Sequence, residues 1–64
     1  MQQTTVKQAP KGEFIKLRDS ESSPVWVRDY YDQSLKKYCL YAFDDVNRHM
    51  YVKGSKAVFV GFTF

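Results

Sequence analysis

"KYCLYAFDDVNRHMYVK", residues 37–53, decides the fold. Residues 37–43 are apolar on both faces for most of their length and rich in aromatics, which suits a strand. "DDVN", residues 44–47, reads as a turn. Asp and Asn side chains bond to backbone amides a residue or two ahead and tolerate unusual dihedrals. "RHMYVK", residues 48–53, returns as a second strand. A hairpin results. It carries the chain's only Cys, its only His and two adjacent carboxylates.

Working outward, "EFIKLR" (13–18) alternates Ile15 and Leu17 with Lys16 and Arg18, the period-two pattern of a strand. "DSESSP" (19–24) is a polar loop closed by a Pro that cannot donate a ladder bond. "VWVRDYY" (25–31) is a strand with Val25 and Val27 on one face and Trp26, Arg28 and Tyr30 on the other. "GS" (54–55) reads as a tight hairpin turn in which Gly54 supplies a positive φ. "KAVFVGFTF" (56–64) is the last strand, with Gly61 marking a bulge or bend. No stretch has a convincing helical apolar period. The expectation is an all-β domain: a five-stranded antiparallel meander over residues 12–64, curled into a small SH3-like barrel. Residues 1–11 are polar with one isolated Val (Val6), have Pro10 near their end, and read as a disordered basic tail.

The chain has 64 residues, enough for one domain with a stability margin of about 3–5 kcal/mol. One Cys permits no internal disulfide, so a reduced, cytoplasmic protein is the simpler expectation. No signal peptide or membrane span is legible. Ten Lys/Arg against seven Asp/Glu give a net charge of +3, which permits nucleic-acid binding without requiring it.

Chemistry in the opening stretch is not expected. A nucleophilic Cys needs a base within hydrogen-bond reach. A hairpin folded about Asp45–Val46 sets Cys39 opposite position 52, give or take one, and away from His49. Cys39 reads as a small buried hydrophobe. Structural zinc needs about four ligands, mostly Cys and His, and the chain has two such residues. Asp44, Asp45 and Asn47 lack the Gly and bidentate Glu of a calcium loop. Neighbouring carboxylates on extended chain point to opposite faces. No phosphate loop, cofactor fingerprint or small-molecule site is evident. The expectation is a protein that is not an enzyme and carries no cofactor or metal.

The pattern "YDQSLKKY…DDVN…VKGSKAVFVGFTF" resembles that of small, uncharacterised bacterial proteins of similar length, over residues 13–64. The resemblance brings no catalytic or binding residue with it. The likeness to SH3 domains is one of architecture alone.

A meander alternates its loops between two ends. Asp19, Glu21, Asp44 and Asp45 then collect at one end, and Lys36, Lys37, Lys53 and Lys56 at the other. Eleven aromatics also exceed what so small a barrel encloses, and exposed aromatics mark interfaces. The expected function is a small interaction module for a protein partner or a homodimer, using exposed aromatics and an edge left by the last strand. The alternative is nucleic-acid binding, with phosphates held at the basic end and bases stacked on Trp26, Arg28 and Tyr30.

Overall fold

The computed structural model describes residues 1–62. These form one antiparallel sheet of six strands: β1 (Gln2–Thr5), β2 (Phe14–Lys16), β3 (Val25–Asp32), β4 (Lys37–Ala42), β5 (Asp45–Val52) and β6 (Ala57–Val60). The spatial order is β1-β6-β2-β3-β4-β5. The chain is all-β and antiparallel, as the alternation predicts. It differs from the expected five-stranded barrel in three ways.

The first concerns the tail. Residues 2–5 are a strand, paired with β6 from Gln2↔Val60 to Thr5↔Ala57. The amides of Val6 and Lys7 continue the ladder to the carbonyls of Lys56 and Gly54. Val6 has no exposed surface, and Ala9 is buried with it. Gln-Gln-Thr-Thr shows no apolar alternation because it is a polar edge strand. The burial that anchors the segment comes from the two residues after it.

The second concerns order. β5 and β6 are consecutive in sequence but not neighbours in the sheet. The turn between them is therefore no hairpin. Lys56 N–H donates to the Lys53 carbonyl at 3.1 Å. Such a turn keeps its end Cα atoms within about 7 Å, so Val52 and Ala57 lie at most about 15 Å apart. Four strand spacings on a flat sheet would need about 19 Å. The sheet must curl. Gly54 does not adopt the expected positive φ. That conformation occurs at Gly12, Gly61 and Lys36. Gly54 is needed for space: a Cβ there would meet Tyr38 Cε1 at 2.8 Å and Lys7 Cβ at 3.2 Å.

The third concerns closure. The curled sheet does not close into a barrel, because β1 and β5 remain its edges. The last strand, expected at an edge, is interior, between β1 and β2. It ends at Val60, where Gly61 (φ 75°) bends the chain. The expected extension through Thr63 and Phe64 lies outside the described residues.

The concave face holds the core: Val6, Ala9, Ile15, Trp26, Leu40, Ala42 and Val58, with Leu17, Tyr38, Met50, Val52 and Val60 packed against it. Arg28 also lies on this side. Its Nε reaches the Val6 carbonyl at 3.4 Å, and its guanidinium stacks 4.5 Å from the centroid of the Tyr38 ring. Arg28 thereby ties the N-terminal segment to β3. The Gly12 amide, bonded to the Arg28 carbonyl at 2.8 Å, adds a second tie.

Candidate functional site: an aromatic outer face and a basic cleft

Register decides which side chains share the convex face. Phe14 stands opposite Val27, Val27 opposite Tyr41, and Tyr41 opposite His49. These residues form a row across β2, β3, β4 and β5. At one end of it Phe14 and Phe43 meet edge to face, with centroids 5.4 Å apart. Phe14 and Phe43 are exposed, Tyr41 is half-buried and Val27 is buried. Lys16, opposite Phe59, shares this side, yet it is only 4% exposed. Its Nζ donates to the Glu21 carbonyl at 3.1 Å and sits 4.7 Å from the centroid of the Phe62 ring.

A second group lies further along the face. Cys39 is opposite Tyr51, as the hairpin sum allows. His49 is exposed and stands opposite Tyr41, not opposite Cys39. The turn itself is tighter than the expected 44–47. Ala42 faces Asp45 across Phe43 and Asp44, and residues 46–48 bulge before register resumes at His49. Within the bulge the Asp45 carboxylate accepts the Asn47 amide at 3.1 Å.

Tyr30 joins this group because of a bulge in β3. Arg28 faces Leu40 and Tyr31 faces Tyr38, so Asp29 and Tyr30 share the place opposite Cys39. The extra residue turns Tyr30 outward and sets Tyr31 against Tyr38, with centroids 4.8 Å apart. The Tyr30 and Tyr51 hydroxyls lie 3.1 Å from each other. The contact with the Tyr51 hydroxyl disfavours loss of the Tyr30 proton, so the Tyr30 pKa is pushed up to about 12. Cys39 is 1% exposed. Burial pushes its thiol pKa up, as does the charge of Asp29, against hydrogen bonds from the two tyrosine hydroxyls.

The expected platform of Trp26, Arg28 and Tyr30 is therefore not one surface. Trp26 is 7% exposed and belongs to the core, where Arg48 covers its ring at 5.7 Å. Arg28 lies inside against Tyr38. Only Tyr30 reaches the outer face. The alternation that put the three together holds for regular strand and fails at a bulge.

The basic end fares better. Lys37, Lys53 and Lys56 line one cleft of about 530 Å³ with Leu17, Met50, Tyr51, Val52 and Ser55. The Lys7 amide, bonded to the Gly54 carbonyl at 3.0 Å, brings a further cation's backbone to the same turn. Lys36 sits one residue before β4 with φ 55° and does not line the cleft. The cleft runs along the β5 edge of the sheet: β5 forms one side, and Leu17, just after β2, lies across from it. Leu17, Met50 and Val52 supply an apolar floor that lysine spacing alone does not announce.

Among the described residues no group of three His, Cys, Asp or Glu could hold a metal ion. No helix among them is long and apolar enough to cross a membrane. No family model, curated protein or solved structure matches the chain.

Proposed function

We propose that the chain is a non-enzymatic binding module that takes another protein surface, in the first instance a second copy of itself, on its convex aromatic face. The row Phe14–Val27–Tyr41–His49, with Phe43 at one end and Tyr30 and Tyr51 beside it, is the observation that supports this reading. An antiparallel sheet usually covers one face with core and shows polar residues on the other. Here the second face carries rings, and contiguous exposed apolar surface marks interaction sites. Sedimentation of the full chain from micromolar to millimolar concentration tests it. Association should rise with concentration and weaken in a Phe14→Ser/Phe43→Ser double variant that keeps its fold by circular dichroism. A chain that stays monomeric throughout, with a variant indistinguishable from it, overturns the proposal.

A second reading rests on the convergence of Lys37, Lys53 and Lys56 beside Tyr51. Such a cluster suits the phosphates of a single-stranded nucleic acid. Retention on heparin or single-stranded DNA should then vanish with moderate salt and with charge reversal of Lys36, Lys37, Lys53 and Lys56. Binding that survives the reversal rules this reading out.

A further inference from the structure

We propose that the cleft along β5 receives an extended acidic peptide segment, which adds to the free edge of the sheet. This goes beyond the convex-face reading and does not depend on it: the two surfaces share His49 and Tyr51 on β5, but Phe14 and Phe43 belong to the convex face alone, and Leu17, Lys37, Lys53 and Lys56 to the cleft alone.

Three features of the cleft define its occupant. The first is backbone. β5 is a sheet edge, and from His49 to Val52 it runs in unbroken register with β4. Its outward amides and carbonyls are therefore spaced to pair with another strand of about four or five residues. Before His49 the bulge at residues 46–48 disrupts the edge and ends the usable stretch. The second is the floor. Leu17, Met50 and Val52 give alternate side chains of an added strand an apolar place to rest. The third is the rim. Lys37 comes from the start of β4, Lys53 directly follows β5, and Lys56 ends the turn before β6. Gly54, pressed against Tyr38 and Lys7, holds that turn in place. Charge complementarity then asks for carboxylates on the occupant, alternating with apolar residues.

A single-stranded nucleic acid fits less well. Among the described residues Tyr51 is the one aromatic side chain lining the cleft, and its hydroxyl is engaged by Tyr30. Among the described residues no arginine lines the cleft, and a floor of aliphatic side chains offers bases little to stack on.

The test uses the full chain and a fluorescent hexapeptide of alternating glutamate and leucine. Anisotropy should report binding that weakens with salt, and amide NMR shifts should concentrate at Leu17, Lys37, His49–Lys53 and Lys56. A Lys53→Glu/Lys56→Glu variant, changed only at exposed positions, should lose about tenfold or more in affinity. The same variant should gain affinity for a lysine–leucine hexapeptide, which separates charge matching from damage to the fold. Absence of binding to the glutamate peptide overturns the proposal, as do shifts confined to Phe14, Val27, Tyr41 and Phe43 or tighter binding of an oligothymidine of equal length. The Phe14→Ser/Phe43→Ser variant should bind the glutamate peptide normally, so failure of either proposal is visible without the other.

Discussion

Tyr30 and Tyr51 reach over β4 from the strands on either side and meet hydroxyl to hydroxyl, 3.1 Å apart, above Cys39. The pair seals a thiol on the convex face of the sheet, where the core does not cover it.

The tyrosine bridge should be visible at alkaline pH. Tyr30 titrates at about 12 in the folded chain against an ordinary 10.0. The folded state then holds this proton more tightly than the unfolded state does. Its contribution to stability is whole below pH 10 and is lost as pH rises toward 12. Ultraviolet titration should show one late tyrosine. Tyr51→Phe should return it to the ordinary range and remove that part of the alkaline decline in melting temperature. An unchanged titration curve in the variant would mean that the hydroxyl contact does not hold the proton.

Cys39 should react slowly with thiol reagents at neutral pH. It is buried, and its raised pKa leaves little thiolate. Tyr30→Ala or Tyr51→Ala should speed labelling well before the chain melts. Labelling of the native protein as fast as that of a free thiol would contradict the covering role of the two rings.

Trp26 should behave as core. Its ring packs with Ile15, Leu40 and Ala42. Trp26→Ala is expected to cost about 3–5 kcal/mol in denaturant unfolding. That equals the whole margin of a domain this small, so Trp26→Phe, with a smaller loss, is the practical comparison. A loss near zero would return Trp26 to the surface.

Val6→Ala should cost about 2–3 kcal/mol, although the sequence places Val6 in a polar tail. Protection of the Val6 and Lys7 amides in hydrogen exchange is the companion measurement. Rapid exchange of both would dissolve β1.

Gly54→Ala should destabilise by about 1–3 kcal/mol. The added methyl meets a Tyr38 ring that cannot easily yield, since Arg28 and Tyr31 stack on it at 4.5 and 4.8 Å. Its φ is not in the left-handed region, so the cost is one of space, and Tyr38→Leu in the same chain should recover part of it. A neutral Gly54→Ala would show that the turn has slack.

The all-β class and the positions of β3 and β4 were legible from aromatic and β-branched stretches between turn signals, and the convergence of Lys37 and Lys53 from the out-and-back path of the chain between them. The surplus of aromatics correctly implied rings outside the core. The rest depends on relations that one strand does not record. β1 is polar and becomes a strand only through its pairing with β6. The bulge between Arg28 and Tyr31 inserts one residue and moves Tyr30 away from Trp26's face, and nothing in "VWVRDYY" marks it. Lys53-Gly54-Ser55-Lys56 looks like a hairpin turn, yet it leads to a strand on the far side of β2. Local sequence fixes the turn but not the strand it delivers to. The cleft combines Leu17 with residues 20 to 39 positions away, a juxtaposition that exists only because the sheet curls.

The placement of β6 between β1 and β2 also sets a schedule for folding. β1 has its ladder partner only in β6, and β2 has one of its two there. During synthesis β1 must wait, unpaired, until Ala57–Val60 have emerged. Contacts this distant in sequence make for slow, late assembly. Until β6 arrives, the meander of β2 to β5 has its concave apolar side open to whatever else is nearby, and a ribosome that stalls before residue 57 holds a nascent chain without its closing strand.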